Sequence, residues 1–411
     1  MDQYAACKKR GASLSSVREN VNLNLIPFFP FKRPVADVIG SVSVNLEYPV
    51  DFVGLSRGVA RRLRGEAAMS GSADAVEYFF DKEWSDGLPV VPPTEERLAA
   101  MLAATRRDPA ELIGLVPPLM APATVRAIAL HAVMAGCKPG YLPVIIGAME
   151  CMLEERLNLL LLQATTSAGA PFILVNGPYA DEIGLHGGMG CFGPGFRANA
   201  TIGRALRLMM MNLGGGLPGI TALSGFGGPW RYTYCVAENE AESPWPSYAS
   251  MHGFALEDNV VTAIPLEGPV LVWDDASEEP ERLVVAIADM MSAIGGGNIY
   301  RPADMAVVLS PQHAQIFAQA GLSRDAVHRL LIERAGRRLG EIRRGGIWRG
   351  ESGAARWPFK IALDDDTAFV PAIGDPGDLH LIVAGGSGSP SSLVMHGITI
   401  ASRAVSRTYS A

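Results

Sequence analysis

A chain of 411 residues that is 48 % hydrophobic and 19 % charged can bury a large core, which excludes an intrinsically disordered protein. Its net charge of −7 provides no basic excess, so neither nucleic acid nor an anionic membrane is expected as a partner. Five scattered cysteines without a CxxC pair favour a reduced, cytoplasmic protein, and no apolar run is long enough to predict a transmembrane helix.

The first 68 residues lack the periodicity that begins after Met69. Few of them are acidic, as in organelle presequences, but their middle part does not form the usual amphipathic helix. We interpret residues 1–68 as an atypical N-terminal extension. A misassigned start at Met69, a presequence and a genuine N-terminal arm all remain open.

Residues 69–166 combine helical patterns with short apolar runs. Thr94 is placed to cap a helix, and Gly136 is placed to end one. The spacing predicts helices over 73–83, 95–105, 123–136 and 141–157, a strand followed by a turn over 111–122, and a strand over 158–166.

From residue 170 onward, strands and helices alternate. Continuous apolar runs such as 170–177 are typical of strands that are buried on both faces. The predicted strands are 170–177, 229–240, one or two within 257–275, 304–311 and 379–389, and the predicted helices are 199–213, 282–294, 311–321 and 324–338. The charged, glycine-rich residues 336–356 are predicted to be a surface insertion.

This alternation predicts an α/β fold with layered sheets, mixed or mostly parallel, and flanking helices. The length favours two α/β regions after the extension, which we place at 69–255 and 256–411. No fixed-period repeat is evident.

Active sites of α/β proteins gather where strand ends meet loops and helix starts. The first such junction is the sequence GMGCFGPGFRANATIGRAL at 188–206. Gly193 and Gly195 allow close backbone approach, and the helix predicted to begin near Asn199 offers free N–H groups to an anion. Arg197 and Arg204 could clamp a carboxylate or phosphate there, with Thr201 as a further ligand.

Cys191 lies within this glycine-rich stretch. Because the arginines and the helix start make the loop electropositive, we expect the pKa of its thiol to be lowered. A nucleophilic or redox role for Cys191 follows, with Cys137 or Cys235 able to resolve a disulfide if the fold brings them near. A tight turn around a small buried cysteine is the alternative interpretation.

Two further junctions carry polar residues. Glu238, at the end of the strand predicted over 229–240, is a candidate general acid or base, and Asn239 could orient a substrate. The third junction, AGGSGSPSS at 384–392, offers backbone amides and Ser387 to an anion. A solvated acidic loop and a flexible surface turn are the corresponding alternatives.

The histidines are far apart in sequence, and no zinc-ligand spacing is present. We therefore predict no metal ligands and assign no cofactor. A metal site assembled by the fold, with His313 and acidic residues, is kept as a third interpretation.

Five stretches together resemble a bacterial family without an established activity: SDGLPVVPPTEERLAAML (85–102), MAPATVRAIALHAVMAGCKPGYLPVIIGAME (120–150), GCFGPGFRANATIGRALRLMMMNLGG (190–215), YTYCVAENEAESPW (232–245) and VVLSPQHAQIFAQAGLSRDAV (307–327). The similarity extends over roughly 70–411. This family is associated with small proteins that carry a UGSC selenocysteine or cysteine motif. The resemblance implies a thiol or selenol redox setting but supplies no catalytic residues.

The sequence thus predicts an enzyme, or the substrate-binding subunit of one, that acts on a small anionic molecule by thiol-dependent reductive or lyase chemistry. The alternatives are a non-catalytic subunit that docks a UGSC-type redox protein, and a metal-dependent hydrolase or lyase. Assembly into a homo-oligomer is left open.

Overall fold

The computed structural model describes residues 72–345, 354, 357–388, 390–399 and 401–410. They all belong to one of the two compact units into which the chain divides, Phe52–Ala411. The predicted extension, residues 1–68, lies outside the described residues. In the described part of the chain, no helix is long and apolar enough to cross a membrane.

Most predicted helices are present with the caps that the sequence indicated. Thr94 accepts a hydrogen bond from the Arg97 N–H, and Gly136 ends its helix in the left-handed region at φ 89°. The described helices are α1 (Ser72–Asp81), α2 (Glu95–Leu102), α3 (Val125–Ala135), α4 (Leu142–Leu153), α5 (Leu159–Ala164), α6 (Pro178–Glu182), α7 (Arg197–Asn212), α8 (Tyr248–Met251), α9 (Pro280–Met291), α10 (Pro311–Gln319), α11 (Arg324–Arg334) and α12 (Leu339–Ile342).

The strands form two four-stranded sheets and two small antiparallel pairs, β1 with β2 and β8 with β9. In chain order the described strands are β1 (Leu112–Val116), β2 (Ala121–Thr124), β3 (Ala170–Asn176), β4 (Cys235–Ala237), β5 (Val260–Leu266), β6 (Val270–Trp273), β7 (Met305–Leu309), β8 (Gly336–Arg338), β9 (Phe369–Pro371), β10 (Leu379–Val383), β11 (Ser391–His396) and β12 (Val405–Thr408).

The two larger sheets have the same pairing pattern. Sheet I has the order β12-β5-β3-β4, and sheet II has the order β6-β11-β7-β10. In each sheet the first two pairings are antiparallel and the last is parallel. The chain therefore contains two structurally similar halves, β3 to β6 and β7 to β12, which no fixed-period sequence repeat revealed.

Each half gives its last strand to the other half's sheet. Strand β6 follows β5 directly but pairs with β11, and β12 follows β11 but pairs with β5. Neither sheet can therefore be completed by one half alone. The predicted boundary at 255/256 falls between β4 and β5, two strands of sheet I.

The sheets pack face to face, with helices on their outer faces. In β3, Phe172 and Leu174 join a buried cluster between the sheets, whereas Ile173 and Val175 join the core beneath α3, α4 and α7. Strand β7 alternates in the same way, because successive side chains of a strand point to opposite faces. The result is a four-layer α/β/β/α arrangement with mixed sheets, which confirms the predicted α/β class.

Some predicted elements are wrong. Residues 159–164 form helix α5 rather than a strand, because the Asn158 side chain caps Leu161 N–H and starts a helical turn. The strand predicted over 229–240 is reduced to Cys235–Ala237, and the strand predicted from 379 to 389 ends at Val383. Within the described part of 336–356, Leu339 and Ile342 are buried in the core of sheet II. Residues of a surface insertion would not be buried in this way, so that prediction is wrong for this part.

Candidate functional site

The three predicted junctions meet at one end of the two sheets. The Gly385 N–H donates to the Gly187 carbonyl at 2.8 Å, and the Asn239 N–H donates to the Val383 carbonyl at 2.8 Å. The Asn239 side-chain amide also donates to the Gly385 carbonyl at 2.9 Å. Loops 187–196, 238–243 and 384–388, here called the junction loops, are therefore one connected structure that joins both sheets.

Glycines allow these loops to touch. A Cβ at Gly386 would lie 2.5 Å from the Met189 Cβ, and a Cβ at Gly187 would lie 2.6 Å from the Ala237 carbonyl oxygen. Gly195 faces open space, but its φ of 120° just before α7 favours glycine. At Gly193, an added Cβ would lie 3.2 Å from the Gly190 carbonyl oxygen. The backbone freedom is thus used for turns and for loop-to-loop packing.

Cys191 is buried in the cluster between the sheets, with 3 % of its surface exposed. Burial raises the pKa of its thiol to about 11, although backbone N–H groups of Gly385, Cys191 and Phe192 partly oppose this effect. The expected lowering of the Cys191 pKa is therefore wrong. Desolvation outweighs the electropositive character of the loop.

The other two candidate cysteines are not beside Cys191. Cys235 and Cys137 belong to the core on the helical face of sheet I, whereas Cys191 belongs to the cluster on its opposite face. The Cys137 Sγ donates to the Thr201 carbonyl at 3.3 Å, and burial raises its pKa to about 12. Burial raises the pKa of Cys235 as well. The structure does not assemble the expected dithiol.

Arg197 and Arg204 both donate hydrogen bonds to protein groups and do not form the expected clamp around a ligand. Arg204 makes two hydrogen bonds of 2.8 Å to Asp86, and it also donates to the carbonyls of Leu88 and Pro89. Arg197 is exposed and donates to the Gly136 carbonyl at 3.0 Å. Arg204 therefore fastens residues 86–89 to α7.

Helix α7 begins at Arg197, two residues before the expected start, and has no side-chain cap. Asn199 is buried, accepts from the His186 N–H at 2.9 Å and donates to the carbonyls of His186 and Cys191. The Thr201 hydroxyl donates back to the Arg197 carbonyl at 2.7 Å. Asn199 therefore holds the first junction loop against the helix, whereas the Thr201 hydrogen bond lies within the helix.

Glu238 is the centre of a buried polar network. Its carboxylate forms an ion pair with Arg324 at 2.8 Å and accepts from the Asn176 side chain and the Tyr248 N–H, each at 2.6 Å. The Glu238 side chain is fully buried, and that of Arg324 is 3 % exposed. This arrangement connects β4 in one half to α11 in the other. The sequence did not single out Arg324, whose only signal is its place directly after the Ser323 cap.

Glu242 is a site residue that the sequence analysis missed. The Ser387 hydroxyl donates to one oxygen of its carboxylate, and the Asn239 amide donates to the other at 3.0 Å. These hydrogen bonds lower the pKa of Glu242 and keep it ionised. Asn239 and Ser387 thus position a carboxylate rather than bind an anion. Its sequence signal was the acidic run after β4.

Glu242 lines a pocket of about 590 Å³ beside the junction loops, which we call the α10 pocket. Its other polar lining residues come from the loop 241–243, the residue after Asp274, helix α10 and the third junction loop: Ser243, Asp275, Gln312, Gln315, Gln319 and Ser387. Among the described residues that line this pocket, two carry carboxylates and none is a lysine or an arginine. It offers mainly hydrogen-bond acceptors and amides to a ligand.

His313 is buried at the base of α10. Its Nε2 donates to the Asp274 carbonyl at 2.8 Å, and its Nδ1 lies 2.7 Å from the Ser392 hydroxyl. Burial lowers the pKa of His313, which favours the neutral ring. Among the residues that the structure describes, no group of three His, Cys, Asp or Glu side chains could hold a metal ion.

Comparison of the chain with known proteins does not assign this site to a family. No protein-family model matches the chain, and no curated protein or solved structure matches it either. The resemblance to the UGSC-associated bacterial family therefore stays a prediction.

Proposed function

We propose that the chain is an enzyme, or the substrate-binding subunit of one, that takes a small polar ligand into the α10 pocket. The supporting observation is the ionised Glu242, which is held by Asn239 and Ser387 where the junction loops meet. Ligands of α/β proteins bind outside the carboxyl ends of strands, and a volume of about 590 Å³ is typical of a small-molecule pocket.

The charge of the lining selects the ligand class. Glu242 and Asp275 repel anions, whereas an ammonium or hydroxyl group would donate to their carboxylates. We therefore propose a ligand that carries an amine or several hydroxyl groups. The small anionic ligand predicted from the sequence is the competing class, and it would bind at the exposed Arg197.

A panel of simple ligands distinguishes these classes. Thermal shift and titration calorimetry of the full chain would compare ethanolamine, agmatine and glucose with acetate and inorganic phosphate. We expect an amine or polyol to raise the melting temperature and phosphate and acetate to leave it unchanged. Stabilisation by phosphate or acetate alone would overturn the proposal.

Two variants link binding to the pocket. Glu242→Gln removes the charge but keeps the shape, and it should weaken binding of an amine at least tenfold. Glu257→Gln, at an exposed glutamate outside the pocket lining, is the matched control and should bind like the wild type. A chain that binds nothing on the panel would instead favour the subunit that docks a UGSC-type protein. The proposal includes a cytoplasmic location, with which the free cysteines 137, 151, 191 and 235 are consistent.

A further inference from the structure

The two exchanged strands, β6 and β12, are both outer strands of their sheets, but the side chains along their edges differ in character. On β12, Val405 is buried, and Arg407 pairs with Glu150 at 3.4 Å and with Glu154 at 2.6 Å. On β6, only Val272 is buried. The β12 edge thus carries charged side chains, as is usual for outer strands, whereas the β6 edge is apolar.

Three side chains of β6 are exposed: Val270 by 41 %, Leu271 by 56 % and Trp273 by 77 %. The apolar surface continues into the loop before β4. The Trp230 ring lies where a Cβ at Gly268 would be, so this loop is beside the start of β6. Phe226, in the same loop, is fully exposed. We call Phe226, Val270, Leu271 and Trp273 the β6 edge patch.

We infer that the β6 edge patch joins two copies of this chain, with β6 of one copy pairing antiparallel with β6 of the other. An outer strand presents unpaired backbone groups on its free side, which form a ladder with a second strand. A strand paired with its own copy about a two-fold axis is self-complementary, and two-fold dimers are the commonest oligomers. This surface goes beyond the proposed ligand pocket and does not depend on it.

The exposed area is close to what a dimer requires. Aromatic side chains bury about 150–250 Å² each, so Trp273 and Phe226 together offer roughly 350 Å² per copy. Leu271, Val270 and the strand backbone bring the surface towards the roughly 600 Å² per copy of the smaller stable interfaces. Isolated exposed apolar residues are normal, but four on one strand edge and its adjacent loop are not.

The charges around β6 are compatible with this pairing. With the two-fold axis through Val272, Trp273 lies opposite Leu271 of the other copy on the same face of the sheet, an aromatic and aliphatic pair that favours strand pairing. Asp274 and Asp275 then lie opposite residues 270 and 269 rather than opposite each other. Pro269 has no N–H and ends the ladder.

Sedimentation equilibrium and light scattering of the full chain test the inference. We expect a species of twice 43.7 kDa that dissociates on dilution. The variant Leu271→Lys/Trp273→Arg should raise the dimer dissociation constant at least 100-fold. Leu256→Lys, at a residue that is 69 % exposed outside the patch, is the control and should leave the constant unchanged.

A second measurement remains informative if the double variant fails to fold. Leu271→Cys treated with a short bismaleimide should give a covalent dimer, whereas Leu256→Cys should not. A wild-type chain that stays monomeric at 100 µM would overturn the inference. A dimer dissociation constant that is unchanged in the double variant would also overturn the inference.

Discussion

The glycine-rich loop 187–196 and the α10 pocket lie at the same end of the two sheets, but they are built differently. The loop and the first turn of α7 after it contain the chemically unusual residues of this region: closely spaced glycines and Cys191 in the loop, and Arg197 in the helix. The pocket is lined by commonplace Glu, Gln and Ser side chains. In the structure, most polar groups of the loop bond to protein, whereas the pocket presents carboxylates and amides to open space.

This comparison shows that chemically distinctive residues can be required for assembly. Two sheets from two halves have to meet at the junction loops, and close backbone approach there leaves little room for side chains other than glycine. Buried polar groups in such a place need partners, which Asn199 and Arg324 supply. If the loop is structural and the pocket is the ligand site, changes to the buried contacts around the loop should affect stability, and changes to the pocket should affect binding.

The largest effect is expected from the buried ion pair. Arg324→Met leaves the Glu238 carboxylate without its cation in a fully buried position, which should lower the free energy of unfolding by about 3–5 kcal/mol. Urea unfolding followed by circular dichroism would measure it.

The control for this variant is Arg282→Met. The Arg282 side chain is 74 % exposed, and its ion pair with Glu279 is at the surface, so its removal should change stability by less than about 1 kcal/mol. Equal effects of the two variants would show that Glu238 is not held by Arg324. Glu238 would then again be a candidate acid or base.

The next effect concerns Arg204. Asp86→Asn and Arg204→Met each break a largely buried, two-point contact, and each should cost about 1–3 kcal/mol in the free energy of unfolding. Because Arg204 is a structural contact in this interpretation, neither change should alter ligand affinity measured by calorimetry. A loss of ligand binding with unchanged stability would instead return Arg204 to the ligand clamp predicted from the sequence.

Individual residues show which features of the fold and of the candidate site can be predicted from the sequence. The layered α/β class and the Thr94 cap follow from local patterns, and both are present. The exchange of β6 and β12 is not predictable in this way, because local periodicity carries no information on which distant strand is the partner. The pKa of Cys191 was misjudged for the same reason: its burial depends on sheet II, which is distant in sequence.

Cys191 should react slowly with alkylating agents in the folded chain. With a pKa of about 11, roughly one thiol in a thousand is ionised at pH 8, against about a quarter for free cysteine. Iodoacetamide labelling at Cys191, located by peptide mass spectrometry, should therefore be at least 100-fold slower before than after unfolding in urea. Rapid labelling of the native chain would support the thiol-dependent chemistry predicted from the sequence.

The same raised pKa has a consequence for stability. The folded state keeps the Cys191 proton at a pH where the unfolded chain loses it, so this contribution is complete below about pH 9 and is lost as the pH rises towards about 11. Cys191→Ala, which cannot ionise, should show a shallower loss of stability between pH 9 and 11. Identical pH profiles for the two proteins would contradict the buried thiol.

The smallest effect is expected at Arg197. This side chain is exposed and makes one hydrogen bond, to the Gly136 carbonyl, so Arg197→Met should change the free energy of unfolding by only about 0.5 kcal/mol. Its effect on ligands decides between the two regions. If the α10 pocket is the site, Arg197→Met binds an amine or polyol as the wild type does. If wild-type chain binds phosphate and the variant does not, the anion site is at the start of α7, and the glycine-rich loop regains the role that its sequence suggested.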